Sequence, residues 1–233
     1  DETILKIAER EGIEIPHLCY SEREGQDGNC RSCMVEVEGE RVLAPSCCRY
    51  PGNDMKVQTN SERALHSQKM VLELLKSDVS EKPHTLHSEL DYWAGKLKIS
   101  TPRFQPRKQV APDLSHPGIA VNMDACIQCT RCVRACRDEQ NNDVIGLAMR
   151  GSHTEIVFDL DDPMGESTCV ACGECVQACP TGALMPANEV GMVEPDRQVE
   201  SVCPYCGVGC QLTYNIKDDK ILYVEGRDGQ TNY

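Results

Sequence analysis

Cys126-Ile-Gln-Cys-Thr-Arg-Cys-Val-Arg-Ala-Cys136 and Cys169-Val-Ala-Cys-Gly-Glu-Cys-Val-Gln-Ala-Cys-Pro180 share one spacing, C-x2-C-x2-C-x3-C, and the second adds a proline. A turn that carries thiolates at i, i+3 and i+6 can wrap three corners of a metal cube. This run, closed by proline, is the bacterial [4Fe–4S] signature. Structural zinc uses C-x2-C pairs and rarely needs three closely spaced cysteines in each of two motifs. Disulfides prefer partners spread through the chain, because short loops give poor geometry and little entropy. In two-cluster ferredoxins the fourth cysteine of each run crosses to the other cluster. One cube is therefore assigned to Cys126, Cys129, Cys132 and Cys179, and the other to Cys169, Cys172, Cys175 and Cys136. Pro180 fixes φ just after the last ligand and ends the turn; Arg137 stands at the matching place in the first run. Residues 137–168 read as an insertion between the halves, with strand-like pieces at Val144-Ile145 and Ile156–Phe158.

The remaining cysteines sort by the same rule. The chain of 233 residues holds 16 Cys but only 1 Trp, 7 Tyr and 2 Phe, so something besides apolar burial must help to hold it together. Cys19, Cys30, Cys33 and Cys47 read C-x10-C-x2-C-x13-C. Cys203, Cys206 and Cys210 read C-x2-C-x3-C with no fourth cysteine before Tyr233, and Cys48 is left over. Thr3 to Arg10 reads as a helix stopped by Gly12. Gly25–Cys33 is a small, polar loop in which backbone N–H groups can approach sulfur. Met34–Val37 and Arg41–Ala44 read as strands around Glu38-Gly39-Glu40. Asn60-Ser61-Glu62 opens a helix to about Lys76 with Ala64, Leu65, Leu72 and Leu75 on one stripe. Ser77–Gly118, polar and proline-rich, reads as a surface linker. Ser201–Cys210 leads into a strand hairpin, Gln211–Ile216 and Lys220–Glu225, and then Gly226-Arg227-Asp228-Gly229.

The net charge of −13 argues against nucleic acid, which needs a cationic face. No apolar run approaches the roughly 18–20 residues of a membrane span, and no signal peptide is read at the opening Asp1-Glu2-Thr3. The six histidines read as solvated or capping residues. Arg31, Arg131 and Arg134 are cations placed to raise cluster potentials, or else members of a solvated helix face.

The N-terminal order of helix, cysteine loop, hairpin and cysteine resembles the [2Fe–2S] β-grasp domain in the large subunits of respiratory NADH dehydrogenase, iron-only hydrogenases and NAD-linked formate dehydrogenases. The resemblance implies Cys47, directly after Ser46, as the fourth ligand, with Cys48 a spare thiol. The Cys203 triplet resembles the N-terminal [4Fe–4S] module of the molybdopterin or tungstopterin oxidoreductases, which puts the fourth ligand beyond Tyr233. The first two groups of relatives carry a further site of one His and three Cys. That site cannot form here, because no Cys lies between Cys48 and Cys126.

Taken in order, the motifs are similar to the N-terminal part of the alpha (catalytic) subunit of cytoplasmic, NAD-dependent, molybdenum or tungsten formate dehydrogenases. The implied fold is α+β. A [2Fe–2S] β-grasp domain spans 1–78, a linker 79–118 and a two-[4Fe–4S] ferredoxin-like domain 119–198, and a molybdopterin-type [4Fe–4S] domain begins at 199–233. The implied cofactors are one [2Fe–2S] and three [4Fe–4S] clusters. A Mo- or W-bis-molybdopterin guanine dinucleotide lies in a downstream domain, and FMN and NAD lie in a partner beta subunit. A small [2Fe–2S] gamma subunit is a further partner. No residue of this segment is expected to carry bond chemistry. The rival readings are an iron-only hydrogenase or NADH dehydrogenase large subunit, and a freestanding electron carrier.

Overall fold

The computed structural model describes residues 2–81, 83–108, 110–189 and 193–227. Helix α1 (Ile4–Arg10) starts where the Thr3 side chain accepts from Lys6 N, and it buries Ile4, Leu5 and Ala8. That face packs on Val35 and Val37 of β1 (Met34–Val37). β2 (Ala44–Pro45) and β3 (Val57–Gln58) flank β1, both antiparallel, with Val35 opposite Ala44 and Val37 opposite Val57. The second strand starts later than the reading Arg41–Ala44 and β3 is new. Helix α2 (Glu62–Asp78) is capped by Ser61, whose side chain accepts from Ala64 N. Buried Gln68 on α2 donates to Met34 O at 2.9 Å and Thr59 O at 3.3 Å, tying the helix to β1.

The stretch 79–118, expected as a surface linker, holds α3 (Glu89–Lys96). Its Leu90, Trp93 and Ala94 are buried. Leu90 and Trp93 join Leu18, Cys19, Leu72, Ile127 and Cys129 in an apolar cluster that no single module owns. Burial of the only tryptophan here makes the segment a wedge between the N-terminal module and the next one.

Residues 119–186 fold as two strand–loop–helix–strand halves. The first is β4 (Ile119–Val121), the Cys126 loop, α4 (Arg131–Arg134) and β5 (Ile145–Ala148). The second is β6 (Glu155–Phe158), the Cys169 loop, α5 (Glu174–Ala178) and β7 (Leu184–Pro186). β5 pairs with β6 and β4 with β7, both antiparallel. The strand pieces expected as an insertion are thus the inner strands of the two halves, paired with each other. The core is Ile119, Val121, Val133, Ile145, Ile156, Phe158, Met164 and Leu184 together with the cysteine side chains.

A separate antiparallel sheet follows, in the order β10–β9–β8 from β8 (Arg197–Val202), β9 (Gln211–Lys217) and β10 (Lys220–Gly226). The expected hairpin is β9–β10, and β8 is an added strand. Asp228 and Gly229, read as following it, lie outside the described residues. Among the described residues no helix is long and apolar enough to cross a membrane.

Candidate iron–sulfur centres

The two cysteine loops repeat each other in backbone as well as in sequence. Gln128 and Thr130 have φ of 55° and 63°; Ala171 and Gly173, at the same offsets from Cys169, have 57° and 80°. Each loop therefore turns twice through the left-handed region, which non-glycine residues rarely enter, and so curls its thiols inward. Gln128 N points at Cys126 Sγ and Ala171 N at Cys169 Sγ, both at 3.4 Å. Leu184 N does the same to Cys179 Sγ, also at 3.4 Å. Such N–H···S contacts are among the features that set a cluster's potential.

The thiols meet across the halves. One small cavity is lined by Cys126, Cys129, Cys132 and Cys179. A second is lined by Cys136, Cys169, Cys172 and Cys175. Cys132 and Cys136 sit one turn apart but face different cavities. Beyond Arg134 the helix widens into a π-type turn over Ala135–Glu139, the kind of local irregularity that often marks functional sites. It shifts Cys136 off the face that carries Cys132.

Burial pushes the Cys126, Cys129 and Cys132 thiols up, and neighbouring thiolates, Cys179 among them, push the same way. The Arg107 guanidinium and the Gln128 N–H partly offset this at Cys126. Burial, then Cys169, Cys172 and Cys136, raise Cys175 to about 12. Four thiols so placed ionise together only around cations, so the donor sets fit polynuclear iron centres. Among the described residues no three Cys, His, Asp or Glu side chains are gathered for a single metal ion; these thiols instead stand on the walls of shared cavities. All 16 cysteines are unpaired by disulfides.

The N-terminal thiols also converge. Cys33 Sγ lies 3.4 Å from Cys47 Sγ. Cys30 and then Cys47 hydrogen-bond the Cys19 thiol and pull it below its usual range, while the same contacts push Cys30 and Cys47 up. Cys48 touches this group only at its edge. Its Sγ is 3.5 Å from Cys47 Sγ, and it lies 2.8 Å from where a Cβ on Gly28 would stand, at φ +73°. Gly28 thus leaves room for the extra thiol. Cys203, Cys206 and Cys210 lie on the loop between β8 and β9. Cys203 N donates to Cys210 O at 2.8 Å, and Cys206 and Cys210 are exposed.

The three arginines singled out in the sequence divide. Arg31 is exposed, whereas Arg131 and Arg134 are buried. Arg131 donates to both oxygens of Glu89 at 2.8 and 3.0 Å. Arg107, not anticipated, donates through Nη2 to Cys126 O at 2.7 Å; a lone arginine in a polar stretch gives no sequence signal. His84 Nε2 pairs with Asp124 Oδ2 at 2.9 Å. His116 Nδ1 accepts from Gly118 N and Ile119 N, both at 3.1 Å.

Residues 1–62 match the 2Fe-2S iron-sulfur cluster binding domain. Residues 116–185 match the ferredoxin-like domain of NADH-quinone oxidoreductase subunit 3, and residues 196–233 the molybdopterin oxidoreductase Fe4S4 domain. An NADH-quinone oxidoreductase subunit of Rhizobium meliloti (strain 1021) is 32% identical over 95% of this chain and 27% of its own length. A putative formate dehydrogenase of Staphylococcus haemolyticus (strain JCSC1435) is 26% identical over 96% of this chain and 27% of its length. An NADP-reducing hydrogenase subunit of Solidesulfovibrio fructosivorans is 35% identical over 84% and 36%. The chain therefore spans about a quarter to a third of these relatives. A crystal structure of an NAD+-reducing [NiFe]-hydrogenase in the H2-reduced state superposes with a TM-score of 0.75 at 26% identity, covering 82% of this chain and 83% of that one. With a 2Fe-2S domain, a ferredoxin-like domain and the Fe4S4 domain matched in turn along it, this chain is similar to the iron–sulfur regions of complex iron–sulfur oxidoreductase subunits.

Proposed function

We propose that these residues form the electron path of a formate dehydrogenase, from a Mo- or W-bis-pterin site that oxidises formate to CO2 toward a partner subunit holding FMN and NAD. The observation that carries the reading is the crossed gathering of thiols. It supports one [4Fe–4S] on Cys126, Cys129, Cys132 and Cys179, and another on Cys136, Cys169, Cys172 and Cys175. A [2Fe–2S] on Cys19, Cys30, Cys33 and Cys47 rests on the convergence of those thiols, with Cys48 outside the set. A third [4Fe–4S] would take Cys203, Cys206, Cys210 and a ligand beyond these residues. Once bound, such clusters supply one-electron transfer. The chain's own residues supply ligation, spacing and potential.

The path order rests on neighbours. Cys19 and Cys129 share one apolar cluster, with Cys30 packed against it, so the N-terminal site adjoins the Cys126 cube. Cys175 lies close enough for its charge to push the Cys132 thiol up, and Cys179 does the same at Cys175, so the two cubes adjoin. Buried Arg131, held by Glu89, is close enough to Cys129 to favour its thiolate, and Arg107 does the same at Cys126.

A second reading, a subunit of an NADH-quinone oxidoreductase or a hydrogenase, draws on the 32% and 35% identical relatives. The absence of cysteine between Cys48 and Cys126 and the molybdopterin-type third motif favour formate. The test is reduction of NAD+ by the purified whole enzyme with formate or H2 as the reductant, and oxidation of NADH with quinone as the acceptor, together with Mo, W, iron and sulfide assays. Formate-dependent NADH formation with Mo or W present is expected, with about 14 iron atoms in the four sites. Hydrogen or quinone turnover without Mo or W would overturn the formate assignment. Zinc in place of iron would overturn the clusters themselves.

A further inference from the structure

Arg134 links the helix that carries thiols of both cubes to the loop that carries Cys19. It lies on the helix between Cys132, which faces the first cube's cavity, and Cys136, which faces the second. Yet its side chain leaves that module. Its Nη2 donates to the carbonyl oxygen of Cys19 at 2.5 Å and its Nε to that of Glu24 at 3.1 Å. Its Nη1 reaches Thr130 Oγ1 at 2.7 Å and pairs with Asp27 at 3.3 Å. Thr130 in turn donates to Asp27 at 2.6 Å and accepts from Asn29 Nδ2 at 3.2 Å. The residue is 7% exposed. A buried guanidinium is costly unless its donors are used. Here the partners of its fork are backbone and side chains of the Cys19–Cys30 loop and of the Cys129–Arg131 turn. A solvated helix face, the plain alternative, is excluded by that burial.

Resting on the cluster assignment above, we propose that Arg134 is a positioning residue for electron transfer between the [2Fe–2S] site and the first cube. Its fork holds the Cys19 loop of one site against the helix that ligates the other, and its charge stabilises the added electron on the [2Fe–2S] site. In the transfer an electron leaves one site and enters the other; no bond forms or breaks and no proton is needed. Hydrogen bonding and net charge near the ligands are recognised levers on iron–sulfur potential. A bond from a charged donor is stronger than a neutral one, so the carbonyl of a ligating residue is an effective place to act. Asp27 tempers that charge from the exposed side. Removing Asp27 and removing Arg134 should therefore move the potential in opposite directions.

The experiment is an EPR-monitored redox titration of the full chain carrying its clusters, on wild type, Arg134→Gln, Arg134→Lys and Asp27→Asn, with exposed Arg197→Gln as a remote charge control. Iron and sulfide content is measured first; wild type without iron would fail the cluster assignment and not this proposal. In Arg134→Gln the [2Fe–2S] site should hold its electron about tenfold less tightly, which is about 59 mV for a one-electron couple. Arg134→Lys should stay within about twofold of wild type in this equilibrium, while the spin–spin broadening between the two sites falls, because an ammonium keeps the charge but not the fork. Asp27→Asn should hold the electron about threefold more tightly, and Arg197→Gln should change nothing. If Arg134→Gln fails to assemble, the Lys and Asp27 variants decide. Equal potentials in Arg134→Gln and wild type would overturn the proposal. So would loss of potential of the same sign in the Arg134 and Asp27 variants, the mark of a merely structural role.

Discussion

Gly182→Ala puts the strap of residues 84–85 to a quantitative test. Gly182 follows Cys179 and Pro180 with φ of +74°. A Cβ there would stand 2.9 Å from Thr85 Cβ, 3.0 Å from Thr85 Cγ2 and 3.2 Å from the His84 carbonyl carbon. Two costs add. Alanine in the left-handed region costs about 1–2 kcal/mol, and forcing a methyl into a packed site costs about 1–3 kcal/mol. The sum is about 2–5 kcal/mol. For a chain of this length each kcal/mol moves Tm by about 2–4 °C, so Tm should fall by about 4–20 °C. The assay is thermal unfolding of the cluster-loaded protein followed by circular dichroism. Gly146→Ala is the control, since its Cβ would meet only Val157 Cγ2 at 3.9 Å. Thr85→Gly removes the two nearest atoms and leaves the His84 carbonyl carbon at 3.2 Å, so Gly182→Ala in that background should lose most of the steric part and keep the conformational part. The cycle should show about 1–3 kcal/mol of favourable coupling. A Gly182→Ala protein within about 0.5 kcal/mol of wild type, or a strictly additive cycle, would mean that the strap does not press on Gly182.

Cys47→Ala should abolish the [2Fe–2S] EPR signal and leave the two cubes, whereas Cys48→Ala should retain all signals; retention in the first and loss in the second would exchange the two roles. Trp93→Ala empties the apolar cluster shared by the modules and should cost about 3–5 kcal/mol, read by denaturant unfolding; a cost below about 1 kcal/mol would show that α3 is only draped. Glu73 accepts from Arg103 N, Nε and Nη2 at 2.9, 2.7 and 2.8 Å, and the Arg103 hydrogen bond holds its carboxyl below the usual range. A depressed folded value contributes stability above the unfolded carboxylate pKa of about 4.3, and that stability is lost as pH falls through the folded value. Wild type and Glu73→Gln should therefore differ at pH 7 and converge in acid; a constant gap across pH 7 to 3 would contradict the pairing.

What the sequence made legible was local. Thr3 and Ser61 are caps, and α1 and α2 start where those residues place them. The β9–β10 hairpin closes on Asp218-Asp219, both in the left-handed region at φ of 49° and 57°. The repeated cysteine spacing marked two halves. Pairing between distant segments was not legible: β4 is only Ile119–Val121, and its partner β7 lies some 60 residues on, so neither carries enough alternation to be read as a strand. The hairpin β5–β6 looked like an insertion because its strands follow the cysteines of one half and precede those of the other. β8 is exposed along its whole length and shows no apolar period. Helix α3 sits in proline-rich, polar sequence, and its burial comes from Leu18, Leu72 and Ile127, residues far away in the chain. The arginines follow the same logic: what Arg134 and Arg107 do is set by carbonyls of other segments, which no local pattern encodes.

The proposed exchange of fourth thiols between the two halves underlies the whole electron path. Cys179→Ala and Cys136→Ala decide it, each compared with wild type by EPR and Mössbauer spectroscopy of the reduced, cluster-loaded protein. Cys179→Ala should perturb or convert the cube held by Cys126, Cys129 and Cys132 and leave that of Cys169, Cys172 and Cys175 intact; Cys136→Ala should do the reverse. Each loss falling instead on the cube of its own run would rule out the crossing.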